Sequence, residues 1–450
     1  MFRFGSIFLI LWLIGEKIIF SQNPFIMNQF TADPSAHVFG GRVYVYPSHD
    51  IPAPDGKGLR KDWFCMEDYH VFSSDNLTEW TDHGVILSQY VVPWVDTTTY
   101  SFWAPDCIER NGKYYLYFPA LSREKDSVSG RNLFRIGVAI ADRPEGPFTP
   151  LPQPIKGVMG IDPCVFVDND GQAYLYWSLR HIFVAKLKEN MTELASDPQI
   201  IANLPEKGLK EGPWVFERNG WYYLTFPHVE HHIERLEYAM SKSPVGPFQW
   251  TGVIMDESPM NCWTNHHSIL EFKGQWYLFY HQNALSPHFD KNRSICIDSL
   301  FFNADGTIRK VVPTHRGVGL TKASRRIEID RYSKISDSDV SIAFNDSTNT
   351  FDGWKAILHG KKAWIQYNGV DFESKNYKNL TIRCSATHGG VVEIKINRLD
   401  SPPIARIVIQ PGSQWQVIKS KVSALKQGVI NLIVTTADDR KVEIDWLSFE

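Results

Sequence analysis

A chain of 450 residues with 43% hydrophobic and 22% charged side chains is too rich in core material for extensive disorder and too long for one core, so two domains are expected. A formal net charge of −3 gives no general attraction to phosphate or to an anionic membrane, which sets aside nucleic acid and membrane as partners. Aromatic residues make up 13%, with 15 Trp, more than a core needs, and the surplus suits flat apolar ligands such as sugar rings.

The chain opens with Arg3 ahead of an apolar run ending at Gly15, too brief to cross a bilayer as a stable anchor and closed by Glu16 and Lys17. Residues 1–22 read as a secretory signal cut near Phe20, Ser21 and Gln22, with Ile19 an imperfect fit to the outer small position. The mature protein is therefore expected to be secreted or periplasmic.

From there one phrase returns five times. Asp33-Pro34 precedes Gly41 and the strand Arg42 to Tyr46; Ala104-Pro105 precedes Gly112 and Lys113 to Tyr117; Asp162-Pro163 precedes Gly171 and Gln172 to Tyr176. Glu211-Gly212-Pro213 precedes Gly220 and Trp221 to Thr225, and His266-His267-Ser268 precedes Gly274 and Gln275 to Phe279. A short strand, a tight turn with Gly and a second strand of alternating aromatics form a β-hairpin. The starts lie roughly 50 to 70 residues apart, the spacing of four-stranded sheets in a radial array, and five copies predict an all-β, five-bladed β-propeller over residues 23–320.

Equivalent positions at the start of each innermost strand gather at one end of a propeller's channel. Asp33, Ala104, Asp162, Glu211 and His266 should meet there: three carboxylates, one small residue and one imidazole. Each Asp-Pro alone could be only a turn cap, but three acids in register repel one another, a cost better explained by chemistry than by stability. Carboxylates facing each other across a sugar-sized pocket are the minimal equipment of glycoside hydrolysis.

Ala32-Asp33-Pro34, Trp103-Ala104-Pro105, Asp162-Pro163, Glu211-Gly212-Pro213 and Asn265-His266-His267-Ser268 together resemble glycoside hydrolase family 43 over residues 24 to 320. The resemblance implies that Asp33 is the general base, Glu211 the general acid, and Asp162 the group that orients that acid and raises its pKa. It further implies an inverting mechanism, with base and acid carboxyls about 6.5–9.5 Å apart to admit a water. Asp33 should stay ionised and Glu211 should be raised by burial beside another carboxylate. His266 corresponds to a histidine near the channel axis beside a water-coordinated calcium ion, or else to a buried, hydrogen-bonded histidine, since calcium prefers oxygen ligands. No cofactor is required for the chemistry itself. Trp103 is placed to wall the sugar, or to pack between blades; Arg293 resembles the arginine that reaches sugar hydroxyls, or pairs with an acid. His228, His231 and His232 follow the fourth hairpin as rim residues or solvated loop histidines. The inserts Ser122 to Asn132 and Asp50 to Asp68 are expected to wall the pocket.

The implied activity is exo-hydrolysis of arabinose or xylose from plant polysaccharide fragments, with α-L-arabinofuranosidase ahead of β-xylosidase and of a galactose-cleaving member of the same family. A reading from another class is a propeller that binds glycan without cutting it.

Beyond residue 326, alternating strands with turns at Asp346-Ser347, Pro402-Pro403 and Pro411-Gly412 predict a β-sandwich. Segments around Trp364, Trp415 and Ile444-Asp445-Trp446 resemble carbohydrate-binding module family 6, a jelly roll. Glu443 and Ile418 stand where that family usually has an Asn and a second aromatic, which favours a buttress over a sugar-binding module. The six widely spaced cysteines form no Cys-x-x-Cys pair and allow either one or two disulfides or buried thiols.

Overall fold

The computed structural model describes residues 18–20, 22–423 and 427–450. The expected signal therefore lies outside the described residues, apart from Gln22 and a strand, Ile18–Phe20, whose backbone pairs with Glu79–Ser88. Strand dominates, and no described helix is long and apolar enough to cross a membrane.

Five sheets form the first domain. The first blade comprises Phe30–Phe39, Arg42–Asp50, Asp68–Ser74 and Glu79–Ser88, with Ile18–Phe20 added at its edge. The second runs through Asp106–Arg110, Lys113–Lys125, Asn132–Ala141 and Thr149–Pro150, and the third through Ile161–Val167, Ala173–Leu179, His181–Lys186 and Gln199–Ile200. Trp214–Arg218, Trp221–Val229, Glu234–Ser241 and Gln249–Met255 make the fourth; Ser268–Phe272, Gln275–Gln282 and Ser294–Leu300 make the fifth. The innermost strand of each blade touches those of both neighbours, and the fifth touches the first, so the ring is closed.

Each inner hairpin forms because its turn residues tolerate the left-handed backbone. Asn111-Gly112 at φ 54° and 74°, and Asn219-Gly220 at 54° and 72°, are tight turns whose twist matches that of the flanking strands. The acids use the same region differently. Asp33 at φ 48° and Asp162 at φ 56° sit where the ladder slips, between Ala32 and Ser35 and between Ile161 and Cys164. The proline after each has no N–H to give the ladder, so the strand bulges and re-aims the acid. A left-handed non-glycine residue costs roughly 1–2 kcal/mol, which the surrounding sheet must hold in place.

The chain's beginning closes the ring beside the fifth blade. The N–H groups of Phe25 and Thr31 donate to the carbonyls of Ile295 (3.1 Å) and Arg293 (2.9 Å), and Asn23 Oδ1 accepts from the Ile297 N–H at 2.8 Å.

The second domain is a sandwich of two sheets. One joins Thr321–Lys322, Trp364–Asp371, Val429–Thr436, Gly390–Ile396 and Ala405–Ile409; the other joins Val340–Phe344, Trp354–His359, Lys441–Phe449, Asn379–Ala386 and Gly412–Lys421. Its first strand thus lies just upstream of the expected start at 326. Ile365, Tyr367, Ile382, Ile394, Val434 and Ile444 meet in its core. The sandwich grips the ring-closing segment: Gln22 donates to the Tyr367 hydroxyl, Arg331 donates to the Asn23 carbonyl, and Phe30 packs on Phe351 with ring centroids 4.8 Å apart. Ile418 packs against the sandwich core, and Glu443 accepts from Lys355 Nζ at 2.8 Å, while Arg383 and Lys355 lie over the Trp415 ring. All six cysteines are buried as free thiols, which decides between the two expectations for them.

Candidate active site

The five positions that vary in the repeated phrase all line one cavity of about 220 Å³ at an end of the channel: Asp33, Ala104, Asp162, Glu211 and His266. Its walls are aromatic. Trp63, Phe64 and Met66 come from the Asp50–Asp68 insert, Trp103 from the second blade and Trp263 from the approach to the fifth. The insert 122–132 contributes no lining residue, although Phe134 just beyond it packs on Trp103 with centroids 4.7 Å apart.

Asp33 is buried and clamped. Arg293 Nη1 and Nη2 donate to its two oxygens at 2.8 and 3.2 Å, Ser48 Oγ donates to Oδ2 at 2.7 Å, and its own N–H donates to His281 Nδ1 at 3.1 Å. Burial raises its pKa, but the Arg293 charge, then His281, His266 and the Ser48 hydroxyl, outweigh that and bring it down to about 2. The carboxylate is ionised. His266 Nδ1 stands 3.7 Å from Asp33 Oδ1.

Arg293 has no N–H left for a sugar. Nε and Nη2 donate to Asp50 at 2.9 Å each, Nη1 and Nη2 to Asp33, and Nη1 also to Thr264 Oγ1 at 3.3 Å. Five donors in a rigid fork meet two carboxylates and a hydroxyl, so its contacts run to the protein and not to sugar hydroxyls.

The opposite side of the cavity is built from carboxyls, with no cation paired to them among the described residues. Asp162 Oδ2 accepts the Gly212 N–H at 3.1 Å, which fixes the backbone next to Glu211. Burial, then Glu211 and Asp33, push Asp162 well above the usual range. Burial first, with Asp33 adding to it and Glu234 and Arg293 opposing, raises Glu211. Burial and Glu211 raise Glu234 as well. These groups titrate as a cluster, in which the last proton is the hardest to remove.

Glu234, Asp50 and His281 escaped the sequence reading. Glu234 carried a signal: it falls in phase with Leu236 and Tyr238 on a buried face, where an acid is out of place. Asp50 and His281 gave none, since neither lies in the repeated phrase. Among the expected rim histidines, His228 is buried, with Nδ1 2.9 Å from Glu237 Oε1 and Nε2 2.9 Å from the Lys207 carbonyl oxygen; His231 and His232 are exposed. His267 turns to Thr225 Oγ1 at 2.6 Å.

His266 supplies one nitrogen, and no group of three metal-ligating side chains surrounds it among the described residues. The one such group, His49, Asp68 and His70, is two-thirds imidazole, a poor match to a cation that takes six to eight oxygens. The residues present build no direct calcium cage at His266.

Residues 21–308 match the family model for glycosyl hydrolases family 43, and residues 332–450 match that for the carbohydrate binding module (family 6). The chain is 41% identical to xylosidase/arabinosidase 43A of Humicola insolens over 63% of this chain and 98% of that protein. An arabinoxylan arabinofuranohydrolase of Bacillus subtilis is 28% identical over 90% of this chain and 88% of its own. Among solved structures, a β-xylosidase/α-arabinofuranosidase from a compost microbial metagenome, in complex with xylotriose and in a calcium-free form, is 37% identical with a TM-score of 0.58, covering 66% of this chain and 98% of that one.

Proposed function

The chain belongs to glycosyl hydrolases family 43 and carries a family 6 carbohydrate-binding module, and from that premise we propose that this glycoside hydrolase releases single xylose or arabinose units from xylan or arabinoxylan fragments. What supports the sugar assignment is the naming of the relatives as xylosidase/arabinosidase and arabinoxylan arabinofuranohydrolase. What supports release of one unit at a time is a cavity of about 220 Å³ walled by Trp63, Phe64, Trp103 and Trp263, too small for several sugars in a row. Export belongs to the proposal on the strength of the apolar run before Gly15.

One observation carries the mechanism: across a single cavity, Asp33 is ionised beside Arg293 while Glu211 is raised among carboxyls. Asp33 then takes a proton from water as the water oxygen attacks the anomeric carbon. The glycosidic bond breaks, and Glu211 passes its proton to the departing oxygen. Attack from the face opposite the leaving group inverts the anomeric centre. Asp162 holds the Gly212 N–H and so the backbone that carries Glu211. Ser48 and Arg293 hold both oxygens of Asp33, and Oδ1 keeps a lone pair for the water. No step runs through a metal.

The test is release of nitrophenol from the aryl β-D-xyloside and the aryl α-L-arabinofuranoside by the purified protein, with Asp33→Ala as the blank. Turnover of either, lost in the variant, is expected and names the sugar. Inactivity on both, together with inactivity on arabinoxylan oligosaccharides, would sink the reading.

A further inference from the structure

Glu234 enters the cavity from the third strand of the fourth blade, one strand beyond the hairpin that carries Glu211. The backbone brings the two together. Segment 209–211 runs beside Pro227–Val229, with Val229 N–H donating to Leu209 O at 3.0 Å and Glu211 N–H to Pro227 O at 3.4 Å; Val229 in turn pairs with Glu234. Glu234 is 1% exposed and lines the same cavity as Glu211.

Its two oxygens are unequal. Oε2 accepts the Asn265 N–H at 2.7 Å and so ties the fourth blade to the loop that presents His266. Oε1 is buried and takes no N–H or hydroxyl among the described residues, while the Glu211 carboxyl lies within hydrogen-bond reach of the group, an expensive condition for two carboxylates and a cheap one when one of the two is protonated. Facing it are Glu211 from its own blade, Asp162 from the third and the Cys262 thiol from the fifth. Among the described residues no cation pairs with the group: Arg235 is turned to Glu230 and Glu237, Lys210 to the carbonyls of Lys207 and Gly208, and Arg293 to Asp33 and Asp50.

We propose that Glu234 is a positioning residue that shares one proton with Glu211, so that the proton-donating end of the site is a carboxyl pair and not a lone acid. Two carboxyls side by side without a cation do not both ionise readily, and the pair keeps its last proton to a higher pH than either would alone. Glu211, which faces the leaving oxygen, draws its proton from that store; Glu234 touches no reacting atom. Both carboxyls are pushed upward by burial, consistent with a held proton. The inference rests on the glycosidase reading above.

The experiment compares wild type with Glu234→Gln, which keeps an oxygen for the Asn265 N–H but holds no exchangeable acid proton. With xylobiose, the high-pH limb of kcat/KM should move to lower pH by about one unit, a roughly tenfold loss above the limb. With 2,4-dinitrophenyl β-D-xyloside, whose leaving group needs no proton, the loss at the same pH should be about tenfold smaller than with xylobiose. An unmoved limb, or an equal loss on both substrates at every pH, overturns the proposal while leaving the glycosidase reading intact; a wild type inactive on every sugar overturns both. Should Glu234→Gln fail to fold, carboxyl-labelled glutamate followed by NMR in the wild type decides the matter. Two Glu carboxyls titrating together through the same steps are expected, and independent titration refutes the pair.

Discussion

The two sides of the cavity use the same functional group to opposite ends. At one side Asp33 sits against a guanidinium that spends all five of its donors on Asp33, Asp50 and Thr264, and its carboxyl is held at about 2. At the other, Glu211, Asp162 and Glu234 share a pocket in which no cation among the described residues pairs with them, and all three are raised although Arg293 pulls weakly on Glu211 and Asp162. Burial is common to both sides. What differs is first the placement of one arginine, and after it that of His281, His266 and Ser48, and this placement separates a proton acceptor from a proton donor across the cavity.

Removing the reacting carboxyls should break the contrast most severely. Asp33→Asn and Glu211→Gln are each expected to lower kcat/KM on xylobiose by about 10²–10⁴-fold. The two variants should then part company on 2,4-dinitrophenyl β-D-xyloside. Glu211→Gln recovers much of its loss because that leaving group departs unprotonated, whereas Asp33→Asn recovers none because water must still be activated. Steady-state kinetics on the two substrates checks this, and equal recovery would mean that the assigned roles are wrong.

A milder change tests the cation itself. Arg293→Lys keeps the charge but cannot reach two carboxylates through a planar fork. The Asp33 carboxyl should rise from about 2 toward its ordinary value, so the low-pH limb of kcat/KM moves to higher pH. The loss in rate at neutral pH should be smaller than in Asp33→Asn, roughly tenfold, since the base is still present but less well held. Thermal stability should fall too, because the buried Asp50 loses the Nε and Nη2 donors and keeps only the backbone N–H of residue 293. A low-pH limb that stays in place would show that Arg293 does not set the state of Asp33.

Much of this arrangement was written in the chain as a repeat. Five turn glycines, each eight or nine residues after Asp33, Ala104, Asp162, Glu211 and His266, were enough to place those five residues around one cavity, because a closed ring brings equivalent positions together whatever the loops do. The proline after each Asp read in the sequence only as a turn cap, and it is the structure that shows a bulge there. The partners were less legible. Asp50 and His281 lie at strand ends outside the repeated phrase, and their meeting with Arg293 and Asp33 depends on the first and fifth blades being neighbours, a fact of ring closure that no local pattern records. Arg293 could be read either as a sugar contact or as the partner of an acid, and the structure pairs it with Asp33 and Asp50, a choice that sequence proximity cannot make because it says nothing about which acceptors will use up a guanidinium. In the sandwich, the substitutions at Glu443 and Ile418 were readable as departures, and the structure supplies their consequence: Glu443 is engaged by Lys355, and Ile418 joins the core.

The smallest expected effect concerns stability and sharpens the comparison without any substrate. Asp33 has a depressed folded-state pKa, so its contribution is present above the unfolded value near 3.8 and is lost as pH falls through about 2. Asp162 has a raised one, so the folded state binds its proton more tightly than the unfolded chain. Its favourable contribution is complete below about 3.8 and is withdrawn as pH climbs through the raised folded value. Asp162→Asn can still accept the Gly212 N–H through its amide oxygen but has no proton to lose. The drop in melting temperature as pH rises above about 4 should therefore be smaller in this variant than in wild type, by a few degrees, whereas Asp33→Asn should flatten the curve only on the acid side, below about pH 4. Calorimetric scans across that range distinguish the two. If both substitutions flattened the same limb, the two sides of the cavity would share one electrostatic environment, and the division of labour between Asp33 and Glu211 would lose its physical basis.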